Sequence, residues 1–156
     1  MNSKSLVLAL TMLLIFQILI LLVPITAADS VQFEIVNVVT RKEDGTPSTT
    51  FRKGEFVFVE VTVRRTDGEY YYYYVVKSFL IIVRATTGSP PVMWGLGAFK
   101  GSLAVGEEMT AAPAFQIPED APTGTMQITV YVWSDWAVYG GYPLATPYVT
   151  YITVTD

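Results

Sequence analysis

The chain has 156 residues, of which 51% are apolar and 15% charged, with a formal net charge of −4. It contains neither cysteine nor histidine, which excludes disulfide bonds, a serine or cysteine catalytic triad and a zinc site of the usual kind. The acidic balance argues against nucleic acid as a partner, because phosphate binding needs a basic surface.

The N-terminus is typical of an export signal. Residues 1–4 are polar with one positive charge, residues 5–25 are almost continuously apolar, and Thr26-Ala27-Ala28 provides the small residues that a signal peptidase requires. The chain therefore divides into a signal peptide or membrane anchor helix at 1–28 and a folded domain at 29–156. Lys4 stays inside the cell under either interpretation, so we expect a secreted or cell-surface protein.

The fate of this leader stays open. Its apolar run is longer than that of an ordinary signal and reaches the roughly 20 residues that span a bilayer. Cleavage after Ala28 and retention as an anchor both fit, and membrane contact is expected only through residues 5–25 if the leader is kept. A pilin-like subunit, cut between Lys4 and Ser5, is a third interpretation, against which Pro24 argues.

The first half of the domain predicts three strands. Residues 31–40 are rich in β-branched side chains, which favour strands, and residues 41–50 form a turn region. From Glu55 to Arg65 apolar residues alternate, and one face carries Val57, Val59, Val61 and Val63. A period of two with one apolar face is typical of a half-buried strand. Asp67-Gly68 then predicts a hairpin.

The next predicted strand begins with five consecutive tyrosines and runs to Val83. Alternation places Tyr70, Tyr72 and Tyr74 on one face. These rings either stack against neighbouring strands or form an aromatic platform for sugars, a surface or another subunit. Residues 92–100 follow as an edge segment, in which Gly95 and Gly97 indicate a bulge or a close backbone approach.

The last part of the chain predicts a strand, a corner and two more strands. Residues 107–117 form a strand that ends at Pro118, and Pro122-Thr123-Gly124 forms a turn. In the strand that follows, one face carries Met126, Ile128, Val130 and Val132. A long loop at 134–147 precedes the final strand at 148–155.

Seven to eight strands with no helix beyond the leader predict a sandwich. The runs Gly106-Glu107-Glu108, Phe115-Gln116-Ile117-Pro118 and Ala121-Pro122-Thr123-Gly124-Thr125 resemble the second half of the immunoglobulin-like, CARDB-like modules of exported bacterial and archaeal surface proteins. The resemblance covers residues 51–154. It implies an all-β, immunoglobulin-like Greek-key β-sandwich with a non-enzymatic role in the envelope.

Catalysis is not predicted. The acidic pairs Glu107-Glu108 and Glu119-Asp120 do not suit paired-carboxylate chemistry, because neighbours on a strand point to opposite faces and turn carboxylates are ordinarily solvated. No cofactor is expected. Calcium stays open, since it takes oxygen ligands, and the weak candidate ligands are Asp135, Glu119 and Asp120.

Two classes of function fit the sequence. The first is a structural surface protein that contacts itself or another envelope protein, as in a filament built by strand addition, with residues 29–40 as the donated strand. The second is a carbohydrate-binding or adhesive module that uses exposed tyrosine and tryptophan, including Trp133. The predicted partner-binding residues are Tyr70, Tyr72, Tyr74, Trp136, Tyr139 and Tyr142. The first class is favoured because the resemblance implies an envelope role.

Overall fold

The computed structural model describes residues 32–66 and 76–156. These residues form nine β-strands and no α-helix, so the all-β prediction is confirmed. The strands are β1 (Phe33–Arg41), β2 (Thr50–Arg52), β3 (Phe56–Arg65), β4 (Lys77–Thr87), β5 (Val92–Leu103), β6 (Glu108–Ala111), β7 (Ala114–Gln116), β8 (Gly124–Trp133) and β9 (Tyr148–Thr155). One 3-10 turn, Ala137–Tyr139, lies between β8 and β9.

The strands form two sheets. In the four-stranded sheet β3 is central, with β1 on one side and β6 and β7 following each other along the other side. The five-stranded sheet has the order β2-β9-β8-β4-β5. All neighbours are antiparallel except β2 and β9, which run parallel.

The predicted total of seven to eight strands was too low for two local reasons. The predicted strand at 107–117 is divided into β6 and β7 around Pro113, whose nitrogen carries no proton for a ladder. The carbonyl of Pro113 still accepts a hydrogen bond from Val59 N at 3.0 Å. In addition, β2 lies at the end of the predicted turn region, where its three residues pair with Thr153, Val154 and Thr155 of β9.

The predicted apolar faces are confirmed. The four alternating valines of β3 and the four alternating apolar residues of β8 are all fully buried. They belong to one core cluster with residues of both sheets. The ring of Phe33 on β1 lies 5.2 Å from that of Phe79 on β4, centroid to centroid, so the sheets face each other across this core.

The predicted close approach at the glycines of β5 is also confirmed. A Cβ on Gly97 would lie 2.8 Å from the carbonyl oxygen of Ala114, and a Cβ on Gly95 would lie 2.2 Å from Cδ2 of Phe115. A register shift between Ala85 and Thr86 marks a bulge in the pairing of β4 with β5. Glycine is therefore required where β5 passes over β7 of the other sheet.

Ion pairs cover the outer face of the four-stranded sheet. Arg64 on β3 lies 2.6 Å from Glu34 on β1 and 3.5 Å from Glu108 on β6. Arg41 donates two hydrogen bonds of 2.9 Å to Glu60. The outer face of this sheet is thus charged and internally paired.

Candidate binding surface

The loop at 134–147 is held firmly against the five-stranded sheet. Ser134 N donates to the carbonyl of Tyr142 at 2.9 Å, and Leu144 N donates to the carbonyl of Val132 at 2.7 Å. The Leu144 side chain is buried in the core, and its carbonyl accepts from Gln32 N and Phe33 N. These contacts hold Trp136, near the start of the loop, over the outer face of the sheet.

Beside this loop the sheet forms an aromatic concavity of about 280 Å³. Tyr131 and Trp133 face outward because they alternate with the buried Val130 and Val132. Ile82 of β4 lies directly opposite Tyr131 in the ladder. The lining residues are Ile82, Arg84, Tyr131, Trp133, Trp136 and Ala137.

A second, polar concavity of about 390 Å³ adjoins the first on the same face. Hydroxyl and amide side chains dominate its wall, which consists of Arg84, Thr86, Thr87, Gly88, Pro91, Thr125, Gln127 and Tyr151. The Gln127 amide is oriented by a hydrogen bond of 3.0 Å that it donates to Thr129 Oγ1. Arg84 lines both concavities and therefore lies at their junction.

Arg84 is held in an unusual environment. Its guanidinium carbon lies 5.4 Å from the centroid of the Tyr131 ring, a cation–π distance. Its Nε is buried and has no hydrogen-bond partner, and no carboxylate within residues 32–66 and 76–156 forms an ion pair with it. Because Arg84 lines both concavities without a carboxylate partner in this part of the chain, its guanidinium is available to bind an anion there.

Charge is distributed unequally between the sheets. The strands of the five-stranded sheet contain no acidic residue, and their basic residues are Arg52, Lys77, Arg84 and Lys100. The strands of the four-stranded sheet contain Glu34, Glu60 and Glu108 beside their arginines. The face that carries both concavities is thus locally basic in an acidic protein.

Of the predicted partner-binding residues that the structure describes, one lies in this surface, beside Trp133, which was predicted for the carbohydrate-binding alternative. Trp136 lines the aromatic concavity, whereas Tyr139, 76% exposed, and Tyr142, 50% exposed, lie outside it. The predicted tyrosines Tyr70, Tyr72 and Tyr74 lie outside the described residues.

Sequence reasoning did not select Arg84, Tyr131 or Ile82. The sequence does contain an indication for Arg84, because it is the only charged residue in the otherwise apolar run from Phe79 to Ala85. The other two are ordinary strand residues, and only the pairing of β4 with β8 brings them beside it.

The predicted calcium ligands lie far from one another, at opposite ends of β8. Asp135 follows the C-terminal end of β8, where its carboxylate accepts a hydrogen bond from Trp136 N at 2.9 Å and lies 3.5 Å from Lys100 Nζ. Glu119 and Asp120 precede the N-terminal end of β8, about 30 Å away along a strand of this length. The described residues contain no group of three or more acidic, cysteine or histidine side chains able to hold a metal. Calcium binding stays a prediction.

The edge of the five-stranded sheet at β5 is open. Among the described residues β5 pairs only with β4, and its backbone makes no backbone–backbone hydrogen bond outside that ladder. At its last residue, the carbonyl of Leu103 accepts a hydrogen bond of 3.1 Å from Arg65 Nη1. Four large apolar side chains of β5 are exposed: Val92, Met93, Leu96 and Phe99. An edge strand of this kind is a template for pairing with another chain.

The segment predicted as a donated strand is already paired. Residues 33–41 form β1, which runs antiparallel to β3 of the same chain.

Within residues 32–66 and 76–156 there is no helix long and apolar enough to cross a membrane.

The chain matches no protein-family model, and no curated protein matches it. The geometry of the two surfaces is therefore the basis on which a function is proposed.

Proposed function

We propose that the protein is a non-catalytic structural protein of the cell exterior that associates with itself through β5. The open edge of β5 is the observation that supports this proposal. From Gly95 to Leu103 the strand keeps an unbroken register with β4, so it presents a regular row of backbone groups on its free side.

The composition of β5 favours association. Natural edge strands are usually protected by proline, by several charged residues or by shortness. β5 has twelve residues, contains no proline, and carries Lys100 as its one charge. Two copies of a strand can pair antiparallel about a two-fold axis, which buries the same edge on both copies and gives a closed dimer.

We propose further that the sandwich is of the immunoglobulin-like Greek-key kind. Two features support this. The chain passes from the four-stranded to the five-stranded sheet between β3 and β4, returns between β5 and β6, and passes again between β7 and β8. The order β9-β8-β4-β5 places late strands beside earlier ones, as in the second sheet of an immunoglobulin variable domain.

Export is proposed from the leader alone. Residues 5–25 are apolar and are followed by Thr26-Ala27-Ala28, a combination that signal peptidases recognise. The intact mass of the protein isolated from its native cells tests this. A mass that begins at Asp29 indicates cleavage and secretion, a full-length mass in the membrane fraction indicates anchoring, and a mass that begins at Ser5 indicates the pilin-like alternative. A full-length cytosolic protein would contradict export.

Sedimentation of the purified protein tests self-association. We expect the original chain to sediment as a dimer or larger species. In a variant with Phe99→Lys and Ser102→Lys, the two new lysines and Lys100 place three cations along the β5 edge. Two-fold pairing of this edge would bring like charges together. We expect this variant to be monomeric with an unchanged far-ultraviolet spectrum.

The matched control carries Thr46→Lys and Thr49→Lys in the loop between β1 and β2. Both residues are exposed, and the loop leads into β2, which lies at the opposite edge of the five-stranded sheet from β5. This variant should remain associated. A monomeric original protein, or an edge variant that associates as strongly as the control, would overturn the proposal.

A further inference from the structure

We infer that the outer face of the five-stranded sheet binds a carboxylated saccharide, with Arg84 holding the carboxylate and the aromatic side chains of the loop and β8 contacting the sugar. This site is separate from the β5 edge and does not depend on self-association.

The anion is indicated by Arg84. An arginine guanidinium carries donors in a rigid fork that matches a carboxylate through two parallel hydrogen bonds. Arg84 lines both concavities, and no ion pair engages it among the described residues. Its guanidinium carbon lies 5.4 Å from the centroid of the Tyr131 ring. An incoming carboxylate can therefore pair with the part of the guanidinium that faces the concavities, whereas the buried Nε is closed to it.

A single negative charge fits best. Two of the other cations of this sheet are engaged: Lys100 lies 3.5 Å from Asp135, and Lys77 donates a hydrogen bond to Gln32. Arg52, the third, lies on β2 at the edge of the sheet and lines neither concavity. Arg84 is thus left as the cation at the junction of the concavities. One guanidinium matches one carboxylate, whereas phosphate carries close to two charges and is commonly held by several cations.

The aromatic and the polar concavity together indicate that the ligand is a sugar. Trp136, Trp133 and Tyr131 provide apolar aromatic surface on one side of Arg84. Thr86, Thr125 and Gln127 provide hydroxyl and amide groups on the other. Saccharides present apolar C–H faces and rows of hydroxyl groups together, so they can contact both walls at once. An acyl chain would leave the polar wall without partners, which is unfavourable.

The volumes suit a short saccharide segment. The concavities measure about 280 and 390 Å³, and together they fall in the range of ordinary small-ligand sites. The strands of this sheet contain no acidic residue to repel the ligand.

Titration of the purified protein with trigalacturonate tests the site. The fully methyl-esterified trisaccharide is the uncharged control ligand. Tryptophan fluorescence and calorimetry report binding, since two tryptophans line the aromatic concavity. We expect the acid to bind at least about tenfold more tightly than the ester, as is typical when a charged hydrogen bond is lost. Added salt should weaken binding of the acid only.

Arg84→Gln should reduce affinity for the acid by about tenfold or more and remove the preference for it over the ester. Arg52→Gln is the matched control, because Arg52 lies on β2 of the same sheet and lines neither concavity. It should leave affinity unchanged. Trp136→Ala should weaken both ligands.

Three outcomes would overturn the inference. These are failure of trigalacturonate to bind, equal binding of the acid and the ester, and identical behaviour of Arg84→Gln and Arg52→Gln. If Arg84→Gln instead abolished self-association in sedimentation and left the saccharide affinity unchanged, the arginine would serve a protein contact. Oligomeric state and saccharide affinity are measured separately, so the two proposals can fail independently.

Discussion

Arg41 and Glu60 link β1 to β3 through a two-point contact. Arg41 Nε and Nη2 each donate at 2.9 Å to one carboxylate oxygen of Glu60, and both side chains are 29% exposed. The hydrogen bond from Arg41 lowers the pKa of Glu60 below its usual value. A depressed carboxyl pKa stabilises the folded state above the unfolded pKa, about 4.3, and this contribution is lost as the pH falls through the folded pKa.

Glu60→Gln should therefore lower the free energy of unfolding near neutral pH, and the difference from the original protein should shrink as the pH falls below about 4. Urea unfolding at a series of pH values measures it. The control is Glu43→Gln, because Glu43 forms no ion pair among the described residues. A difference that is the same at every pH for Glu60→Gln would contradict the coupling.

Arg84 shows how far single residues can be interpreted from sequence. Alternation with the buried Val83 and Ala85 already places this side chain on the outer face. Its neighbours cannot be read the same way, because they depend on register: Thr129 lies opposite it on β8 and Leu96 on β5. Sequence alternation predicts the face of a side chain, whereas the strand pairing decides what surrounds it.

Among the strands, those with a complete apolar face at a period of two were predictable and the shortest were not. β3 and β8 carry four consecutive apolar positions at a period of two, a pattern contained within each segment. β2 has three residues, and its strand character comes from pairing with residues about one hundred positions later. No local window contains that information.

Leu144 anchors the loop between β8 and β9 to the core of the domain. The side chain is only 1% exposed, and its backbone bonds join β8 to the start of β1. Leu144→Ala should lower the free energy of unfolding by about 2–5 kcal/mol, since it leaves a cavity in the core. It should also change the fluorescence of Trp136, which this loop holds over the sheet.

Val138→Ala is the comparison for this loop. Val138 is 82% exposed, so its truncation should change stability by less than about 0.5 kcal/mol. Denaturant unfolding followed by circular dichroism measures both variants. Equal effects from the two substitutions would show that the loop is not anchored through Leu144.

The molecule as a whole has two unlike outer faces. The four-stranded sheet pairs its charges internally, which suits a face directed to solvent. The five-stranded sheet carries aromatic side chains, no acidic residue in its strands, and Arg84, which forms no ion pair among the described residues. Its open edge at β5 and its concave face adjoin each other, so association and ligand binding can be coupled through geometry alone.

Antiparallel pairing of two β5 strands about a two-fold axis would keep both concave faces on the same side of one continuous sheet. The Arg84-bearing strands would then be three strand spacings apart, about 14 Å or more. A long oligogalacturonate that reaches both sites should bind the associated protein at least about a hundredfold more tightly than trigalacturonate does, because its second contact is intramolecular.

The edge variant with Phe99→Lys and Ser102→Lys should keep its affinity for trigalacturonate and lose this gain from chain length, since each copy then offers one site. Calorimetry with the short and the long ligand on both proteins measures the ratio. If the monomeric variant retains the full gain, neighbouring subsites on one copy cause it. If the associated protein shows no gain although trigalacturonate binds, the two sites do not face the same side, and the pairing through β5 has a different geometry.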